Sequence, residues 1–417
     1  MRAAAFGLLM IAGCGAPPIA PAPLESRVVV PRAQSCALAA PRRTPVTLAF
    51  DRWIGTVGDR SWLVALQGDD YVLVTLDDRG ALAITRLPTN RNGGPSFTVA
   101  IAGTQLWVAL FDDARETTLV YDLTTAHPIA HEVAIAGRTI DGRSELAISA
   151  TRALFHATRA GAPVFELIDR QRSASLATAP YETIGFEAPW MRCTGDRCFA
   201  IDLVHDAAAR RRIVTSFRFA PDGTVTREPL ANIDASAYSA IADADRTRVA
   251  WTSWERPGAL VATLDATGHV LSVDDVLQSA HIDELQLLPT VPPTLAYGDA
   301  GGWRAIALDT HAPSSISLRL PETEHLAAVH TADGVLAVAY TSDVTIDSAA
   351  AASKLFATFV PNEGGAEPAV DLLFGGHRTS WTAVPLVAPG YAAALALEEG
   401  YGPAEGELIT LRAPCTQ

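Results

Sequence analysis

Lysine is all but missing from this chain: Lys354 is the only one among 32 basic residues. Schiff-base and other amine chemistry therefore has one residue to draw on, which argues against that class. The bias toward Arg, with the heavy Ala content, reads as genome composition. Charge is sparse, at 19% of residues, and it is unbalanced toward acid, with a formal net charge of −14. A surface of that sign argues against general nucleic-acid binding, which needs cations to displace counterions from phosphates. It is equally unsuited to holding anionic lipid through a basic patch. No apolar run after the N-terminus approaches the roughly 20 residues needed to span a bilayer. Catalytic motifs are missing too. Gly142-Arg143-Ser144-Glu145-Leu146 lacks the second Gly of a nucleophile elbow, and no phosphate-binding glycine pattern occurs. His127 and His131 stand four apart, but Pro128 lies between them and the HExxH order is absent. Asp343 to Ser348 lacks the Gly and the late Glu of a calcium loop. No metal and no cofactor is expected. What remains, with 49% apolar residues, is ample material for a core.

The first residues have an organisation of their own. Met1-Arg2 gives a positive start, Ala3 to Ala12 an apolar stretch, and Ile11-Ala12-Gly13-Cys14 follows. An aliphatic residue, two small ones and a Cys resembles the bacterial lipobox, and a stretch of about ten apolar residues is too short to cross a membrane. The resemblance implies a signal peptide over 1–13, acylation of Cys14, and attachment through lipid alone. Gly15 in place of Asp implies the outer membrane over the inner. A proline-rich tether fills 14–25, and the folded domain takes 26–417.

With Cys14 acylated, four Cys remain, an even number that suits two disulfides in an exported chain. Cys193 and Cys198 enclose Thr194-Gly195-Asp196-Arg197, turn residues that let two Cys face each other across a hairpin. Elimination pairs Cys36 with Cys415, tying the two ends of the folded domain. A zinc site is the competing reading, weakened by the lack of a second ligand pair.

A strand-turn signal recurs about every 48 residues, an interval typical of propellers and solenoids. Each copy is an apolar run stopped by an acid or amide, at Asp77, Asp122, Asp169, Asp222, Asp265, Asp309 and Asn362, and the last ends at Arg412. Each run follows another apolar strand, as Trp62 to Leu66 precedes Val72 to Leu76, and leads to a weaker, alternating one such as Ala81 to Leu87. Runs that are apolar on both faces fit strands covered on both sides. The Asp is expected to cap its turn by accepting backbone N–H bonds. One further strand per unit makes a closed, all-β propeller of four-stranded blades, eight by this register, with seven or an open solenoid as alternatives. The eighth unit lacks residues for an outer strand, and Ser26-Arg27-Val28-Val29-Val30 or its surroundings is the candidate to fill it.

The pattern "apolar-Ala-x-Leu-Asp-x-x-Gly", clearest from Val261 to Gly268, resembles the repeats of quinoprotein-like propellers. That group includes quinone-dependent dehydrogenases and a lipoprotein scaffold of outer-membrane assembly. The Trp-docking pattern of the family is absent, and none of the enzymes' catalytic residues can be placed here, so the resemblance implies a scaffold. In such a ring the loops between second and third strands crowd one face. Those loops carry the candidate binding residues: acidic Asp112 and Asp113, basic Arg210, Arg211 and Arg212, Trp254, and Lys354 at the end of the long segment from Thr341. The expectation is a monomeric, lipid-anchored, non-enzymatic binding or scaffold protein for an envelope protein or glycan. The alternative is an envelope hydrolase or lyase with an active site dispersed around the channel mouth.

Overall fold

Strands form where apolar residues fill consecutive positions, because each sheet is covered on both faces. The computed structural model describes residues 42–411 except for 58–59, 78–81, 113–114, 134–141, 160–161, 173, 182–188, 207–209, 244, 278–280, 283, 289–292, 300–301, 310–315, 318–324, 332–333, 344–351, 362–369, 378–383, 389–390 and 397–405. The described strands make eight four-stranded antiparallel sheets. Seven are sequential meanders, blades 1 to 7, over 49–90, 96–133, 142–180, 190–229, 237–277, 284–317 and 325–377. The eighth takes three strands from 384–411 and its outer strand, Arg42–Val46, from the other end of the chain. The innermost strand of blade 8, Val384–Ala388, lies against the first two strands of blade 1 and against His325–Thr331 of blade 7. The eighth sheet therefore stands between the seventh and the first.

The closing strand is not the expected one. Arg42-Arg43-Thr44-Pro45-Val46 pairs with Gly406–Leu411, whereas Ser26 to Val30 lies outside the described residues. An outer strand needs no apolar run, and its free edge accepts Pro45 and two Arg, so its sequence passes for linker. Cys14, Cys36 and Cys415 also lie outside the described residues. Cys193 and Cys198 are directly opposed in register, with Cα atoms 4.1 Å apart, and form the expected disulfide.

Two-residue alternation explains how one strand serves two interfaces. In blade 5, Val249 and Trp251 join the cluster shared with Ile201, Leu203 and Val214 of blade 4. Ala250, between them in sequence, joins Val261, Leu287 and Leu295 at the blade 5–6 interface. Likewise Leu106 and Val108 pack toward Trp62 and Leu73 of blade 1, while Trp107 and Ala109 pack toward Phe155 and Ile168 of blade 3. Trp62 and Trp251 are fully buried, and truncating either to Ala is expected to remove about 3–5 kcal/mol. Outer strands are weaker and half-exposed, as in Val225–Pro229 and Val270–Leu277.

The recurrent acids do cap the turns between third and outer strands. Oδ1 of Asp265 accepts from the amides of Thr267 and His269 and from the Thr267 hydroxyl. Oδ1 of Asp169 accepts from the amides of Gln171 and Arg172, and Oδ1 of Asp122 from that of Thr124. Hydrogen bonds to the Thr124 and Thr224 amides hold the Asp122 and Asp222 carboxyls below their usual range. Asp222 sits two places later in its turn than Asp265 does. In both turns the fourth residue's amide bonds back to the first residue's carbonyl, and these first residues are Ala220 and Asp265. Asp309 departs further: its carboxylate meets Arg248 of blade 5 at 2.6 Å.

Hydroxyls peg neighbouring blades together. Tyr181, just past blade 3, donates to the buried Asp202 of blade 4 at 2.6 Å. Burial first, and the Asp202 charge second, push the Tyr181 phenol well above its ordinary value. Tyr238 of blade 5 donates to the Ile201 carbonyl at 3.0 Å and accepts from the Trp190 amide at 3.2 Å. These contacts fix the relative height of blades 3, 4 and 5, and so of the loops above them.

Candidate functional site

In an up-and-down blade, the loops joining strands two and three share a face with the links to the next blade. The Asp-capped turns lie on the opposite face. On the loop face, blades 4 and 5 form one continuous seam. The second and third strands of blade 4, Arg197–Asp206 and Arg211–Phe219, extend the pair to Asp206 opposite Arg211. Arg210, directly before the third strand, has φ of 54° and is the one non-glycine residue at positive φ among the described residues. For a residue with a Cβ that conformation costs about 1–2 kcal/mol, and such strain collects where geometry serves function. The Arg212 amide donates to Oδ1 of Asp234 at 2.7 Å, and the Ala235 amide donates to the Arg212 carbonyl at 2.7 Å. The link to blade 5 is thus laced onto the base of the hairpin.

Blade 5 supplies the other half. Its loop Ser253-Trp254-Glu255-Arg256-Pro257-Gly258 is braced at three points. Oγ of Ser253 accepts the Glu255 amide at 3.0 Å, and Arg256 meets Asp275 on the outer strand at 2.8 Å. Arg211 of blade 4 reaches across to Glu255 at 3.1 Å. That pair is more than a third exposed on both sides, so its worth is at most about 1 kcal/mol, and its consequence is position. It ties the blade 5 loop to the start of the third strand of blade 4. Trp254 stands out of that loop, 72% exposed. By strand alternation His205 shares the blade 5 side of its sheet with Leu203, directly opposite Arg212, and its Nδ1 is buried with no hydrogen-bond partner among the described residues.

Of the singled-out residues, Arg210, Arg211 and Arg212 are thus linked to the loop of Trp254 through one contact, Arg211 to Glu255. Arg211 and Arg212 belong to a strand and not to a loop, because polar residues at a strand's exposed end resemble loop sequence. The acidic pair lies elsewhere: Asp112 ends a strand of blade 2 with its backbone opposite Arg115, and Asp113 is outside the described residues. Lys354 is no loop residue either. Its strand, Ala352–Pro361, pairs back to Asp343, which sets Lys354 opposite Thr341 in blade 7. The long loop is thus shorter than its sequence suggests. Sequence reasoning missed Glu255, Arg256 and Asp275 as braces. The first two flank Trp254 and were open to notice, whereas Asp275 comes near only through the hairpin register. Among the described residues, no group of three or more His, Cys, Asp or Glu is placed to hold a metal ion.

No protein-family model and no curated protein matches this chain. Among solved structures it is similar to the β-propeller domain of the Trilobed protease from Pyrococcus furiosus, at 10% identity and a TM-score of 0.44 over 76% of this chain and 94% of that one. It is similar to the Dos1 propeller, at 10% identity and a TM-score of 0.48 over 90% and 95%. A third likeness is to the dihydro-heme d1 dehydrogenase NirN, at 15% identity and a TM-score of 0.39 over 90% and 76%. These are likenesses of architecture. The chain is a β-propeller by its own strand pairing, eight sheets each in antiparallel order.

Proposed function

We propose that this propeller is a non-enzymatic binding platform of the bacterial cell envelope, held by lipid at Cys14 and meeting a protein or glycan through the loop face of blades 4 and 5. One observation carries the reading: an exposed indole on a loop braced by ion pairs to the neighbouring blade and to its own outer strand, the first of them made by Arg211, next to Arg210 at positive φ. Leaving Trp254 in water forgoes the stabilisation that burial brings, and rigid loops lower the ordering cost of association. The lipobox-like start supports the location. Crosslinking in intact envelopes, followed by capture of the chain, is the test. Partners captured by the wild type are expected to be lost in a variant combining Trp254→Ala with Arg210→Gly and Arg212→Ala. An unchanged set of partners overturns the assignment of this face. Cys14→Ser is expected to move the chain from the membrane fraction to the soluble one, and retention in the membrane refutes lipid anchoring.

A further inference from the structure

We infer that the blade 4–5 seam is a subsite for an acidic sugar, a pyranose bearing a carboxylate as in a polyuronate chain; this rests on the platform reading above. The character of the patch narrows the partner. The other large apolar side chains exposed among the described residues lie elsewhere: Ile129 in the turn region between third and outer strands of blade 2, Leu271 and Val273 along the outer strand of blade 5. Trp254 is thus the one exposed large apolar side chain on that face among the described residues, with Ser253, Glu255 and Arg256 next to it in the chain. A protein partner is usually anchored by a cluster of apolar residues that exclude water around them. A single indole among hydrogen-bonding groups suits a ligand with one C–H face and a rim of hydroxyls, which is a pyranose.

The charge comes from the neighbouring hairpin. Glu255 engages the Arg211 guanidinium, whereas those of Arg210 and Arg212 have no acidic partner among the described residues, Asp234 meeting Arg212 through its backbone amide. A guanidinium is a planar fork that meets a carboxylate with two parallel bonds, and it stays charged at every working pH. On a chain of net charge −14 a polyanion needs local cations, and 210–212 is a run of three, with the nearby Glu255 and Asp275 already engaged by Arg211 and Arg256. Arg210 holds a positive φ next to Arg211, and the Glu255 and Arg256 ion pairs brace the loop that carries the indole, so less ordering is left for the ligand to impose.

The test is titration of the full chain with a galacturonate hexamer, its fully methyl-esterified form and a glutamate hexapeptide. The galacturonate is expected to bind, and the ester and the peptide to bind at least about tenfold more weakly. Trp254→Ala and Arg210→Gly are each expected to weaken galacturonate by about tenfold or more, with unchanged or raised melting temperature, since one residue is exposed and Gly relieves the positive φ. The inference is overturned if the wild type ignores galacturonate, if ester and acid bind alike, or if Trp254→Ala changes nothing. It is overturned in favour of an acidic peptide if the glutamate hexamer binds as tightly through the same residues. Failure here alongside rim-dependent crosslinking leaves the platform reading in place, whereas an unchanged set of captured partners removes that reading whatever the sugar does.

Discussion

Gly268 is where the blade 4–5 interface can be tested most directly. It closes the Asp265 turn with φ of 79°, and a Cβ built there falls 2.5 Å from Cγ and 2.8 Å from Cβ of Phe199 in blade 4. Its carbonyl also accepts the buried Ser216 hydroxyl at 2.9 Å. Gly268→Ala meets two penalties. Positive φ costs about 1–2 kcal/mol, and forcing a methyl against a core ring costs about 1–3 kcal/mol more. Phe199 is 1% exposed and wedged beside Trp190, so it has no free direction in which to yield. Gly103→Ala isolates the first penalty, because Gly103 has φ of 62° and nothing within 4 Å of its Cβ. At about 2 cal/mol/K per residue, a ring of roughly 370 residues melts with an entropy near 0.8 kcal/mol/K. Gly268→Ala is then expected to lower Tm by about 3–6 °C and Gly103→Ala by about 1–2 °C, both by scanning calorimetry. Urea titration should show a lower midpoint at constant slope. Pairing Gly268→Ala with Phe199→Leu should recover part of the loss, since the two side chains share one space. Equal melting of the two Gly variants would refute the claim that Phe199 is rigidly packed against this turn.

Three further outcomes follow from the same structure. Burial lowers His156 to about 4, below the 6.5 of the unfolded chain, so the unfolded state takes up a proton that the fold refuses. Stability is therefore expected to fall as pH drops from about 6.5 to about 4, by on the order of 3 kcal/mol, and His156→Leu should flatten that limb in urea midpoints; an unaltered limb refutes it. Burial alone would raise the Asp265 carboxyl, but bonds from Thr267 and His269 outweigh it and hold it below its usual range. Its contribution is thus present above about pH 4 and lost below, and Asp265→Ala is expected to remove about 1–2 kcal/mol at neutral pH, read by denaturant titration. Non-reducing peptide mapping should find Cys36 linked to Cys415, and free thiols at both would refute that pairing.

The period was legible because packing a blade between two others demands strands apolar on both faces, and those runs stand out. The Asp caps were legible for a related reason: a tight turn needs an acceptor at a fixed place. The closing strand was not, since an outer strand has one free edge and one wet face, and Arg42-Arg43-Thr44-Pro45-Val46 satisfies that with almost no apolar signal. The register of Asp222 was misplaced by two, because Pro221-Asp222-Gly223 offers an acid inside the turn while Ala220 holds the position that Asp265 fills in blade 5. Arg210 to Arg212 and Trp254 were visible as residues, but their meeting was not. A separation of 42 or more residues collapses only when adjacent blades stack, and no local pattern encodes that.

The strand Arg42–Val46 also sets a direction. It runs antiparallel to Gly406–Leu411, with Val46 opposite Gly406 and Arg42 near the far end, opposite Thr410. Gly406 begins a third strand, so Val46 lies toward the face of the Arg–Trp seam and Arg42 toward the face of the Asp-capped turns. Arg42 therefore lies at the back of the disc, on blade 8, while the seam looks forward from blades 4 and 5 on the other side of the ring. Under the lipid attachment proposed above, the indole and its guanidiniums would lie on the face opposite to the one that carries Arg42.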